Sequence, residues 1–213
     1  PQLMSAIVWW KTNIPRAPKR QVFVNNSSRP LVITYSDGEG SDAGVGIAIW
    51  CAERIGPRPH AGFLMVPDEV RRLWSAQKRS ASEFATLYPE LDYNDIIEIE
   101  GIGPLLLLHN FCHILQGSLW IHFIDNASAL GSLVKGSSSV MQQDVIVGYT
   151  WDYIARLDVL AWFDRVDSKS NPVDGLSRQD FSRRKLCNWI WKHLDFPKKV
   201  RSALRLLHPD SRH

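Results

Sequence analysis

The sequence predicts an α/β fold: a mixed five-stranded sheet, its first three strands antiparallel, flanked by helices. Three observations carry this. Apolar, β-branched runs recur at residues 30–36, 44–50 and 61–66 with only short connections, as in an antiparallel meander. Two later runs, 118–125 and 159–166, are set apart by long helical stretches that can supply crossovers. A chain of 213 residues, 45% hydrophobic and 22% charged, has material for one substantial core.

Taken in order, residues 1–28 read as a short helix, LMSAIVWWK, and a linker, IPRAPKR, in which two prolines break the apolar spacing. PLVITYS (30–36), GVGIAIW (44–50) and AGFLMV (61–66) are the first three strands. PDEVRRLWSAQKRS (67–80) reads as a helix with proline in its first turn, and 81–94 as a polar loop. DIIEIEGIGPLLLLHNFCHIL (95–115) is too long for one strand and is assigned to a helix despite Gly101, Gly103 and Pro104. Pro104 is tolerable there if the helix begins near Glu100. SLWIHFID (118–125) is the fourth strand, and NASALGSLVKG (126–136) is a short helix ended by Gly136. VMQQDVIVGYTWDYIARLD (140–158) is a longer amphipathic helix, and VLAWFDRV (159–166) is the fifth strand. NPVDGLSRQDF (171–181) opens a helix with Asn171 as N-cap and Pro172 at its first position. Helical, basic, tryptophan-containing sequence then runs from Lys185 to about Leu207. The expected organisation is a connector over 1–28, a central domain over 29–181 and a C-terminal extension over 182–213.

Net charge is +3, but it is unevenly spread: from Arg165 to His213 there are 12 Lys/Arg against 5 Asp/Glu. That excess suits an anionic partner such as nucleic acid, and a solvated basic helix would account for it equally well. Cys51, Cys112 and Cys187 are widely spaced and form no C-x-x-C pair, which argues against a zinc knuckle or a disulfide framework and fits a reducing, intracellular setting. No apolar run approaches the roughly 18–20 residues of a membrane span, so no membrane partner is expected. The chain starts on Pro1 with no leader pattern, as a segment of a longer polypeptide would. Nothing in the sequence sets the oligomeric state.

Four acids interrupt apolar structure: Asp37 after the first strand, Glu100 in the long apolar helix, Asp125 at the end of the fourth strand, and Asp174 in NPVDGLSR. Each has an ordinary explanation. Asp37–Gly38 is a hairpin-turn pair. Glu100 is an acid near a helix N-terminus. Asp125 is a helix cap, and Asp174 is half of a capping pair with Asn171. Together they suggest convergence at one edge of the sheet. Clustered carboxylates repel one another unless a cation neutralises them. Oxygen donors without His or Cys suit Mg²⁺ or Mn²⁺, and two such ions about 4 Å apart can drive phosphodiester cleavage.

The order strand-Asp, helix-Glu, strand-Asp, helix-Asp resembles the ribonuclease H fold, and most closely the ribonuclease H domain of reverse-transcriptase retroelements of the DIRS-like type. FIDNASALGSLVKGSSS and FDRVDSKSNPVDGLSR are similar to the two characteristic blocks of that domain. YSDGEGSDAGVGIAIW fits its opening hairpin, and IIEIEGIGPLLLL fits the helix with the second acid. The resemblance covers roughly residues 29–181. It implies Asp37, Glu100, Asp125 and Asp174 as ligands of two Mg²⁺ ions, with Glu98 competing for the second place. Glu100 is preferred because Gly103, three positions on, falls where that helix usually has a small residue. Many cellular ribonucleases H carry a histidine in the loop before the last acid; VDSKSNPVD has none, which lowers the expected turnover.

The resemblance further implies hydrolysis of the RNA strand of an RNA–DNA hybrid, with the polymerase domain of the same polyprotein as covalent partner. Such an enzyme reads backbone shape and 2′-hydroxyls across the minor groove. Candidate contacts are Asn126, Lys135, Ser137, Ser138, Ser139, Lys169 and Arg178; the serines also suit an ordinary polar loop, and Asn126 a helix cap. Trp189 and Trp191 are candidates for base stacking, or for core. Two rival readings stand beside this one: an integrase-like or other DNA-cutting nuclease of the same fold, and a silent nucleic-acid-binding domain descended from a retroelement.

Overall fold

A computed structural model describes residues 28–81, 95–182 and 188–206, together with Lys11. The helix and linker expected before Ser28 and nearly all of the loop expected over 81–94 lie outside the described residues. The strands are β1 (Leu31–Glu39), β2 (Gly44–Cys51), β3 (Gly56–Met65), β4 (Leu119–Ile124), β5 (Leu160–Arg165) and β6 (Ile190–Lys192). The helices are α1 (Ala52–Ile55), α2 (Asp68–Ala81), α3 (Ile96–Asn110), α4 (Cys112–Leu115), α5 (Ala127–Lys135), α6 (Met141–Arg156), α7 (Asp174–Ser177) and α8 (Lys198–Leu206).

The sheet is mixed, in the order β5-β4-β1-β2-β3-β6. β1, β2 and β3 form the expected antiparallel meander. β4 runs parallel to β1, and β5 parallel to β4. The sheet therefore has six strands rather than five. The extra one comes from sequence expected to be helical: Ile190, Trp191 and Lys192 pair in parallel with His60, Ala61 and Gly62 of β3. β-branched and aromatic residues beside an unpaired sheet edge gain a ladder there that an isolated helix cannot match.

Alternation along β1 assigns its two faces. Val32, Thr34 and Ser36 are buried toward α3, while Ile33, Tyr35 and Asp37 point to the other side. The main core lies on the α3 side, where α6 and α5 pack on α3, and α8 on α6 and α2. Leu194, Phe196, Val200 and Leu204 join this core. On the opposite face a smaller core forms from Ala48, Ala61, Val173 and Leu176, with Trp50, Trp189 and Trp191 packed against it. The rings of Trp189 and Trp50 meet edge-on at 5.6 Å, and those of Trp191 and Phe181 at 5.4 Å. Toward β5 the same face is open: Leu31 is 43% exposed and Trp162 63%.

Every residue of α3 from Glu98 to Leu108 is buried. A helix enclosed on all sides shows no apolar stripe, which is why its sequence reads as an unbroken hydrophobic run. It begins at Ile96, so Pro104 is interior rather than close to the first turn, and the Glu100 carbonyl lacks its usual helical donor. The helix expected through residue 115 is broken at Phe111, and α4 follows.

Helix α3 sits directly on β1. A Cβ added to Gly103 would overlap the Ser36 side chain. A Cβ on Gly38 would lie 2.9 Å from Ile99 Cγ2 and 3.0 Å from the Glu100 backbone nitrogen. On the other face, a Cβ on Gly46 would lie 2.8 Å from Leu176 Cβ and 2.9 Å from both the Ser177 nitrogen and the Val173 carbonyl oxygen. The glycines thus bring α3 and α7 into backbone contact with the two strands around Asp37. Gly103→Ala is expected to cost about 1–3 kcal/mol by overpacking. Chemical denaturation should show this loss, and Ser36→Gly in the same chain should recover part of it.

Candidate metal centre

Asp37 lies inside β1, paired with Gly46, and Gly38 is paired with Val45. The hairpin-turn explanation of this Asp-Gly pair therefore fails; the turn falls at residues 40–43. Glu39 organises that turn, its carboxylate accepting from the backbone N–H groups of Ser41 at 2.9 Å and Asp42 at 2.8 Å. Asp125 follows the last residue of β4, directly beside β1 in the sheet. Asn126, not Asp125, caps α5: its Oδ1 accepts from the backbone N–H of Ser128 and of Ala129, both at 3.0 Å. The cap is filled by the neighbour, which leaves the Asp125 carboxylate available.

Carboxylate oxygens of Asp37, Glu100 and Asp125 lie within 4.8 Å of one another. Glu100 is brought in by the close passage of α3 over Gly38, whose backbone N–H also donates to it. Glu98 is fully buried too, but two positions on a helix are about 200° of rotation, and it is Glu100 that joins the group. Asp37 is held from the far side. Asn171 Nδ2 donates to the Ser36 carbonyl at 2.9 Å and to Asp37 Oδ1 at 3.4 Å, and Ser177 Oγ donates to Asp37 Oδ2.

The fourth expected acid lies beside this group rather than in it. Asp174 stands on the one-turn helix α7, where its Oδ1 accepts from Arg178 at 3.2 and 3.3 Å. An exposed pair of this kind, four residues apart, is worth only about 0.3–0.5 kcal/mol, so it exchanges partners readily. Asp174 is still near enough for its charge to raise the Asp37 pKa. The longer helix expected over 171–181 is reduced to this turn, and Asn171 is not its cap. The residue before α7 is Val173, whose N–H donates to Asn171 Oδ1 at 3.2 Å.

Among the candidate nucleic-acid contacts, Lys135 ends α5 and is exposed. Gly136 follows with φ 76°, the left-handed C-cap that its position predicts. Ser138 is occupied locally: its N–H donates to Asp144 at 2.9 Å, and its Oγ accepts from the Val140 N–H at 3.1 Å. Ser137 is half-buried and Ser139 exposed. Lys169, in a short 3₁₀ turn, and Arg178 are exposed at the end of the sheet that carries Asp125 and Asp174. Asn171 and Ser177 are the site residues that sequence reasoning missed. Both belong to NPVDGLSR, three positions either side of Asp174; the sequence points to Asn171 only as a cap and gives Ser177 no role.

The electrostatics follow from the burial and crowding of these acids. Burial pushes Glu100 up to about 10, and the charges of Asp125 and Asp37 add to the shift. Asp37 is raised to about 7, chiefly by burial, with the Ser177 hydrogen bond opposing the shift, Asp125 and Asp174 adding to it and Arg178 opposing it. Glu100 Oε2 and Asp125 Oδ1 are buried without a hydrogen-bond partner. Orphaned hard oxygens, no His or Cys in the group, and mutually repelling charges fit Mg²⁺ or Mn²⁺. Beneath them is a neutral polar layer. Trp120 Nε1 donates to Thr34 Oγ1 at 2.7 Å, and the fully buried His122 ring joins Thr34 at 2.8 Å and Ser36 at 3.2 Å. Burial lowers His122 to about 3, so it brings no charge to the centre.

These shifts set a pH dependence. Between the ordinary carboxylate range and about 7 for Asp37, or about 10 for Glu100, the folded chain binds more protons than the unfolded chain. Stability therefore falls as pH rises through that window. In chelator, the melting temperature should drop between about pH 5 and about pH 8, and Glu100→Gln should flatten the drop. Added Mg²⁺ should raise the melting temperature more at the higher pH, because binding expels the retained protons.

No protein-family model and no curated protein matches the chain.

Proposed function

We propose that this chain is a metal-dependent endonuclease that hydrolyses the RNA strand of RNA–DNA hybrids, the ribonuclease H part of a retroelement reverse-transcriptase polyprotein. One observation carries the reading: oxygens of Asp37, Glu100 and Asp125 come within 4.8 Å of one another at the carboxyl-terminal ends of two adjacent parallel strands. The strand order supports it, with β4 and β5 extending the antiparallel meander on the β1 side, as do the residue blocks around Asp125 and Asp174.

In this reading Asp37, Glu100, Asp125 and Asp174 hold two Mg²⁺ ions, with Mn²⁺ as a substitute. When bound, the ions would supply an activated water and stabilise the 3′-oxygen leaving group. The protein's own part is placement. Asp37 is held by Asn171 and Ser177 on the face away from α3, and Glu100 is buried and pinned by the Gly38 N–H. Arg178 and Lys169 offer cations for the phosphate backbone of the hybrid. Lys135, Ser137 and Ser138 are proposed to extend that contact. Asn126 spends its carbonyl oxygen on the helix cap, which leaves its amide NH₂ for the substrate. The polymerase domain of the same polyprotein is the proposed covalent partner.

With Mg²⁺ present, the wild-type chain should cut the RNA strand of a hybrid, and Asp125→Asn should lose about 10²-fold or more of the rate. Equal cleavage by the two proteins would sink the assignment. Cleavage of duplex DNA in place of hybrid would favour the integrase-like reading, and tight hybrid binding without cleavage would favour the silent one.

A further inference from the structure

Asp37 receives more from the segment 171–177 than a metal-binding carboxylate needs for folding alone. Asn171 is 1% exposed and Ser177 1%. The Asn171 amide has one possible orientation: Oδ1 must face the Val173 N–H, which only donates, and Nδ2 must face the Ser36 carbonyl, which only accepts. That leaves Nδ2 turned toward Asp37 Oδ1. With Asp37 ionised, Ser177 Oγ gives its single proton to the other oxygen, Oδ2, so the Asp174 carbonyl at 2.7 Å is an alternative acceptor and not a second one. The two side chains thus address different oxygens of one carboxylate, which removes its freedom to rotate about the terminal bond. Ser177 also ties the turn bearing Asp174 to the strand bearing Asp37.

We propose that Ser177, seconded by Asn171, is a positioning residue of the metal centre: it fixes the Asp37 carboxylate plane and couples Asp174 to it. The proposal rests on the metal-dependent reading above. Partners that orient a ligating carboxylate typically change metal affinity by about 10–100-fold when removed, and Ser177 stands in that relation to Asp37. It touches neither substrate nor reacting atoms in this account. Its effect passes through Asp37.

Ser177 is the better residue to test, because Asn171→Ala would also strip a donor from the Ser36 carbonyl inside the sheet. Mg²⁺ binding to the full chain is measured by calorimetry for wild type, Ser177→Ala and Ser177→Thr, with the melting temperature confirming that each is folded. Ser177→Ala is expected to bind Mg²⁺ about 10–100-fold more weakly. Its KM for hybrid should be unchanged at saturating Mg²⁺, with kcat recovering as Mg²⁺ is raised. Ser177→Thr, which keeps the hydroxyl, should return affinity toward wild type. If the threonine variant does not fold, the affinity loss in alanine together with the KM–kcat split decides the matter. Equal Mg²⁺ affinity in wild type and Ser177→Ala overturns the positioning role and leaves the metal-dependent reading standing. A wild-type chain that takes up no Mg²⁺ overturns both.

Discussion

The arrangement depends on one constraint: α3 lies close on β1, with a glycine at each point of nearest approach. Gly38 on the strand and Gly103 on the helix make this approach possible, Gly103 against Ser36 and Gly38 against Ile99 and Glu100. Two close contacts about one helical turn apart fix both the rotation and the axial position of α3. Once those are fixed, Glu100 has nowhere to point except past Gly38, next to Asp37. The rest of the core, including α6 packed on α3, holds the helix in this position.

A centre of this kind works against the stability of its own fold. Three carboxyls gathered in a partly buried site oppose folding whenever they are charged. The surrounding structure limits the damage by neutral means. His122, Thr34, Ser36 and Trp120 bind one another directly below the acids, so no second charge is buried there. Arg178 stands on the solvent side, where a cation is inexpensive to keep. The protein places fixed dipoles inside and mobile charge outside, and the acids lie on the boundary.

Much of this was legible in the sequence. The meander, the crossovers and the ends of α5 follow from β-branched runs, connection lengths and Gly136, because each is a local signal. Asp125 was separable from its cap because Asn126 follows it and is the better capping residue. Other features depend on long-range partners that no local pattern announces. Ile190–Lys192 reads as helix in isolation, and only the free edge of β3 makes it a strand. Asp37–Gly38 reads as a turn, yet β2 carries the pairing two residues further. Pro104 argues against a helix interior, but complete burial of α3 overrides that preference. Asn171 looks like a cap because capping is local, whereas its partners are on β1. The sequence suggests four acids meeting; three do, and Asp174 stands at their margin because α7 is a single turn docked through Gly46 and Ser177 rather than a long helix pointing inward.

The bonds from Asn171 and Ser177 to β1 close chain separations of 134 to 140 residues. Loops of that length close late, after local hairpins and helices have formed. An emerging or partly folded chain can therefore possess β1 to β5 and α3 while its first aspartate still lacks its outer supports. The nascent protein would thus pass through a stage in which the acids are gathered but Asp37 is not yet oriented, because its supports lie more than 130 residues further along the chain.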